Sequence, residues 1–423
     1  MVCFVNVLLA AVVICSFLSN VMGNNAVVQN NDNSEQFALL CRIYNVAKNP
    51  PINLVDLQEP LNIVKDIDVI NDSLTEEKQF NETENVGNSS DAQVKPTITR
   101  EVSVAQAILS RITQKAHRIL EDIKEINATS DIEKVKDEFD HVIFGEGGNE
   151  SHLCYGALSG VNRREDSCGK SGLSNKGDSA GNNLVVDFFC LCAMRTKDGE
   201  GIGNVCGVEI GGKGERREKP DSHGWGDEAP LGSSSMWASV KKGCGRLMHQ
   251  HPKSTKEGHD SLKDFLKHLK TGGVIRNDPK EESDLKKGML GTSVPNKGST
   301  RDSGPVCNGK KGNGRNGSPG GVCVYYGTES DWQNIPWMMK LKNALNTVDT
   351  INNKTTTIQR AIKKLHTLLH RAEEIYETTK VITKARNPVA SPNLQTAAKR
   401  LTAYNAAWRH HIYTHFILLF VLL

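Results

Sequence analysis

Aromatic side chains make up only 5% of this 423-residue chain, so a large compact aromatic core is not expected. Neither sign of charge is in excess. Lys+Arg total 52 against 49 Asp+Glu, a net charge of +3, and that balance gives no electrostatic basis for binding nucleic acid. No cysteine follows Cys323. No zinc-ligand spacing of the C-x-x-C or H-E-x-x-H kind occurs, which removes the familiar closed metal sites and the redox dithiol motif. No basic residue follows the last apolar run, and none precedes the first.

Those two apolar runs sit at the chain ends. Asn405-Ala406-Ala407 offers three small residues, 408–415 form a polar spacer, and 416–423 are wholly apolar. Small triplet, spacer and apolar tail are the parts of a GPI-attachment signal. The tail is far shorter than the roughly 20 apolar residues that span a bilayer. Residues 406–423 are therefore expected to be removed, leaving a lipid on Asn405. At the other end, residues 5–18 are nearly all apolar and Val21-Met22-Gly23 suits a signal peptidase. Cleavage after Gly23 would make 1–23 a signal peptide. Together the two ends predict a protein on the outer leaflet of the plasma membrane.

Of eleven cysteines, Cys3 and Cys15 fall in that leader. Cys41, Cys154, Cys168, Cys190, Cys192, Cys206, Cys244, Cys307 and Cys323 remain, and in a secreted chain they read as a disulfide framework. Nine is odd, so at most four bridges form within one chain; the last thiol is buried or pairs between chains. Cys190 and Cys192, read as lying on a strand, are expected to bridge to different partners. Cys307 and Cys323 flank a Gly/Asn/Lys loop with no core of its own, so they are the best single pair. The loop is expected to be mobile and exposed. Asn71, Asn81, Asn88, Asn127, Asn149, Asn316 and Asn353 each open an Asn-x-Ser/Thr sequon and are candidate glycan sites, hence surface positions.

The 3–4 spacing of apolar residues predicts helices over 34–48, 101–126 and about 130–144, the last stopped by Gly145. Residues 71–96 are polar, hold three sequons and read as a glycosylated loop. Residues 145–330 carry 35 of the 37 glycines and eight of the nine mature cysteines; loops, short strands and short helices held by disulfides are expected there, with one clear helix at about 260–270. From 337 to 384 the period returns, and its alternation of 3 and 4 suggests a coiled-coil seam. Packed as an antiparallel pair, the two long amphipathic segments give a mainly α, elongated fold with the Gly/Cys-rich segment as a head.

Chemical motifs are weak. Residues 207–214 nearly match a phosphate-binding P-loop, but Gly214 stands where the Mg²⁺-binding hydroxyl belongs and no helix pattern follows. Residues 312–317 fit a dinucleotide fingerprint by letters only. His249 and His251 lack a metal-site partner spacing and read as a surface loop. No catalytic residue, cofactor or metal is assigned.

The order of parts resembles the variant surface glycoproteins of African trypanosomes, nearest their B-type N-terminal domain. The residues that carry the likeness are Phe37-Ala38-Leu39-Leu40-Cys41-Arg42-Ile43-Tyr44-Asn45-Val46-Ala47, the two long helical segments, the Cys/Gly-rich middle, and Asn405-Ala406-Ala407 with its tail. The resemblance implies an N-terminal domain over 24–386, a membrane-proximal linker over 387–405, and a GPI-anchored homodimeric coat protein, not an enzyme. Its exposed head would be exchanged to escape host antibodies. The absence of cysteine beyond Cys323 departs from members with a separate Cys-rich C-terminal domain. The alternative is a GPI-anchored receptor for a host nutrient carrier on the same scaffold.

Overall fold

The computed structural model describes residues 27–83, 100–126, 129–197, 199–213, 222–276, 284–295, 304–313 and 317–386. The leader, Asn88, Asn127, Asn316, the 387–405 linker, Asn405 and the C-terminal tail lie outside the described residues. The fold is mainly helical. Its helices are α1 (Ser34–Lys48), α2 (Gln58–Thr83), α3 (Arg100–Ile126), α4 (Thr129–Phe144), α5 (Arg164–Cys168), α6 (Leu184–Cys192), α7 (Ser233–Leu247), α8 (Thr255–Thr271), α9 (Glu329–Trp332) and α10 (Pro336–Arg386). The chain divides into two compact units, Met1–Leu54 with Asn127–Thr356, and Val55–Ile126 with Thr357–Leu423.

In the first unit α1 is central. Besides the expected Phe37, Leu40, Cys41 and Tyr44, it buries Leu39, Ile43, Val46 and Ala47, because it packs against α4, α6, α7 and α8 on several sides. α4 ends where the sequence indicates: Gly145 takes φ +77° and its N–H returns to the His141 carbonyl at 2.9 Å, a conformation that costs a residue with a Cβ.

The sequence singles out none of α5, α6, α7 and α9 of this unit. α7 has no dominant stripe in its Ser-rich first turn. α6 has no stripe at all, since all nine of its residues are buried. Cys190 and Cys192 therefore lie on a helix and not on a strand. A segment buried all round loses the periodicity that marks a helix, and only the N-cap betrays it: the Asn183 side chain accepts a hydrogen bond from Val186 N at 3.0 Å.

Two small sheets complete the unit. One joins β1 (Gly212–Lys213), β2 (Ser222–Trp225) and β3 (Pro230–Leu231) in antiparallel order. The other has the order β5 (Asp284–Lys286), β4 (Gly273–Ile275), β6 (Met289–Val294), β7 (Gly320–Tyr325), with β4 and β6 parallel. Every residue of β6 and β7 is buried; β7 packs on α6 and β6 on α8. Gly291 faces Cys323 across that pair at φ +98°, where a Cβ would lie 2.5 Å from the Val322 carbonyl oxygen.

The second unit has one core fed by three helices. α2 contributes Ile63, Val64, Ile67, Ile70 and Leu74; α3 contributes Ala105, Leu109, Ile112, Ala116, Leu120 and Ile123; α10 contributes Ile358, Ile362, Leu365, Ala372 and Tyr376. α2, not expected as a helix, packs along α3 in this core. Residues 71–83, expected to begin a loop over 71–96, continue α2. On α3 the buried face includes Leu109 and Leu120, while Ile108 and Ile119 are only partly covered. His117 of α3 meets Asp68 of α2, and His366 of α10 meets Glu59 of α2, each at 2.9 Å.

Candidate functional site

The disulfide framework is complete. Cys41 pairs with Cys244, tying α1 to α7; Cys168 pairs with Cys190, tying α5 to α6; Cys192 pairs with Cys206; and Cys307 pairs with Cys323 of β7. Their Cα–Cα distances run from 5.0 to 5.6 Å. The two cysteines of α6 do reach different partners. Cys154 is the ninth: it is unpaired and exposed, with its Sγ 3.3 Å from the Ser233 hydroxyl.

Scarce as they are, the aromatics gather in the first unit, against the expectation from composition. Trp237 stands edge-to-face with Tyr44, Phe144 and Phe188 at 5.4, 5.9 and 6.0 Å. Phe265 does the same with Tyr326 and Trp337 at 5.3 and 4.8 Å. These are the favoured geometries of aromatic pairs, and each ring contributes large buried area to a unit otherwise rich in glycine.

Three buried polar residues hold segments distant in sequence. Asn33 Nδ2 donates to the carbonyls of Leu191 and Val322 at 2.9 and 2.7 Å, and its Oδ1 accepts from the Thr292 hydroxyl at 3.1 Å. Asp187 is fully buried and accepts from Gly181 N, Tyr326 Oη and Trp337 Nε1. Burial pushes its carboxyl up to about 6, against the opposing pull of those hydrogen bonds. The same burial, with the Asp187 charge beside it, raises the Tyr326 phenol. Arg164 donates to the carbonyls of Ala193 and Cys190 and lies 5.3 Å over the Trp225 ring. Burial, then the nearby Arg195, lowers its guanidinium to about 9. These groups are engaged internally and hold the fold. No sequence periodicity points to any of them.

The loop between Cys307 and Cys323 differs from the expectation of general exposure. Val306, Cys307, Asn308, Gly309 and Gly312 are buried. Arg195 donates to the Asn308 carbonyl at 3.2 Å, and Val28 N reaches the Lys311 carbonyl at 2.8 Å. Lys311 and Ser318 are exposed. A loop without a core is here held by hydrogen bonds from its neighbours.

Among the sequons, Asn149 and Asn353 are exposed. Asn71 is half-buried and its Oδ1 accepts from Gln106 of α3 at 3.4 Å; Asn81 lies on α2. In the P-loop-like segment, Gly212 and Lys213 form β1. Glu209, His223, Ser235 and Ser239 line a polar cleft of about 210 Å³ beside it. In the second unit, Val104, Ala105, Ile108 and Ile375 line a groove of about 450 Å³. His249 and His251 are exposed. Among the described residues no group of three or more His, Cys, Asp or Glu side chains could hold a metal ion, and no helix is long and apolar enough to cross a membrane.

Compared with protein-family models, the chain matches the trypanosomal VSG domain over residues 15–102 and 94–367. No curated protein matches it.

Proposed function

The chain belongs to the trypanosomal VSG domain family, a family of cell-surface coat proteins, and on that footing we propose that it is a GPI-anchored variant surface glycoprotein. In this reading the leader is cleaved after Gly23, residues 406–423 are exchanged for a glycolipid on Asn405, and two copies form the unit of the coat. The coat shields the parasite, and its outward loops are exchanged to escape host antibodies. The family match over most of the chain carries the proposal. The disulfide framework supports it: four bridges let a glycine-rich unit keep its fold while exposed positions such as Lys311 and Ser318 vary.

The test is release from living cells. Phosphatidylinositol-specific phospholipase C should free the protein, and the released form should end at Asn405 with the glycolipid remnant and sediment as a dimer. Recovery of a mature peptide containing Phe416 would overturn the anchor. Tight capture of a host serum carrier by the released protein would assign the scaffold to a receptor instead.

A further inference from the structure

The balanced charge of the whole chain conceals a local segregation. Residues 229–256 contain no Asp or Glu at all, where the average acid content would place about three, and they contain five Lys or Arg and two His. This stretch forms α7, the connection after it and the start of α8. Lys242 and Arg246 are exposed and one turn apart on α7. His249, His251 and Lys253 are exposed along the connection.

α1 adds to the same corner. The Cys41–Cys244 bridge ties α1 to the end of α7, and Asn45 Nδ2 donates to the Gln250 carbonyl at 2.9 Å. Lys48, exposed, is the next residue on that face of α1. The carboxylates nearby are already held. Glu150 pairs with Lys241, Asp260 with Lys256 at 2.5 Å, and Asp264 with Arg42 at 2.9 Å. Glu257 accepts from the backbone N–H of Lys253 at 2.8 Å. None of Lys48, Lys242, Arg246 and Lys253 has an ion-pair partner among the described residues.

We propose that this corner, Lys48, Lys242, Arg246, His249, His251 and Lys253, is a docking surface for a sulfated polysaccharide. Several unpaired cations around a helix end and its connection suit a flexible chain carrying anionic groups at short intervals. Each contact is a charge-assisted hydrogen bond to a sulfate oxygen. Nucleic acid fits less well, because the aromatics of this stretch and of α8, Trp237 and Phe265, are buried and no ring is offered to a base. An anionic membrane fits less well too. Interfacial helices need an apolar face, and on α7 Met236, Trp237 and Val240 are buried, leaving Leu247 as its exposed large apolar side chain.

The experiment measures binding of a heparin decasaccharide to the purified protein by calorimetry. The wild type should bind, and affinity should fall at least about tenfold as salt rises, as expected when several cations release counterions. The triple variant Lys242→Glu, Arg246→Glu, Lys253→Glu should lose at least about tenfold. A control triple on α10, Arg360→Glu, Lys363→Glu, Lys364→Glu, changes net charge equally and should lose less than about twofold. In the wild type, bound oligosaccharide should protect Lys242 and Lys253, and not Lys363, from acetylation; this arm needs no variant to fold. Absence of binding, equal loss in both triples, or protection elsewhere would overturn the proposal. So would tighter binding to a short DNA duplex or to phosphatidylserine vesicles than to the oligosaccharide.

Discussion

Oδ2 of Asp187, in the middle of α6, accepts a 2.7 Å hydrogen bond from Nε1–H of Trp337, 150 positions later at the start of α10. The Tyr326 hydroxyl donates to the same oxygen at 2.8 Å, and Gly181 N–H to the other at 2.8 Å. One carboxyl thus joins α6, the end of β7 and the first turn of α10. Its folded value of about 6 stands above the ordinary 3.8 because burial outweighs the three donors.

The sign of the pH effect follows from that difference. The folded state holds the proton more tightly than the unfolded chain. Stability from this group is therefore fully present below about 3.8 and is lost as pH rises through about 6. Asp187→Asn removes the titration. Between about pH 4 and pH 7 the wild type should lose roughly 2 kcal/mol relative to the variant. Urea unfolding of both proteins at both pH values reads this directly, and a difference independent of pH would count against the buried carboxyl.

Leu365 is fully buried in the three-helix core, with Ile362 one turn before it. Leu365→Ala should cost about 2–5 kcal/mol, and Leu365→Asp more, since it sets an unpaired charge among apolar side chains. Circular dichroism melts check this. If Leu365→Asp melts with the parent, α10 does not pack there.

The four bridges should not be equal. Cys41–Cys244 closes a separation of 203 residues and Cys307–Cys323 one of 16. Loop-closure entropy gives about 5 kcal/mol for the first and about 3 for the second. The double variant Cys41→Ser, Cys244→Ser should therefore unfold at clearly lower urea than Cys307→Ser, Cys323→Ser; the reverse order would contradict the pairing. On the unreduced mature protein, iodoacetamide should label Cys154, the one unpaired cysteine among the described residues.

Glycan occupancy should follow exposure. Asn149 and Asn353 are exposed, whereas Asn71 is half-buried against α3. Glycopeptide mass analysis should find the first two modified and Asn71 bare. Asn149 Oδ1 also accepts from His152 N at 3.1 Å. Asn149→Ala should thus cost up to about 1 kcal/mol from the lost cap, with or without the glycan.

Much of the helical content was legible because one-sided burial writes a 3–4 rhythm into the residues. α1, α3, α4 and α10 were readable within a few positions, as was Gly145 as a stop. The Cys307–Cys323 pair was readable because a core-less loop lay between two cysteines. α2 carries the rhythm in Ile63, Val64, Ile67, Ile70 and Leu74, while the polar, sequon-bearing stretch from 71 reads as a loop. α6 left no rhythm to read, since a helix covered on every side has no polar face.

Local patterning therefore determined where α1, α3, α4, α8 and α10 form, that Gly145 stops α4 and that disulfides would hold the middle. Tertiary structure alone decided what they meet: Cys41 with Cys244, Asn33 with Leu191 and Val322, Asp187 with Tyr326 and Trp337, and α2 as a third helix in the second core. The reason is physical. A helix forms from contacts three and four residues apart, which the sequence displays. Partners hundreds of residues apart are selected by the packing of apolar faces and the need of each buried polar atom for a hydrogen bond, and those conditions exist only once the chain has folded.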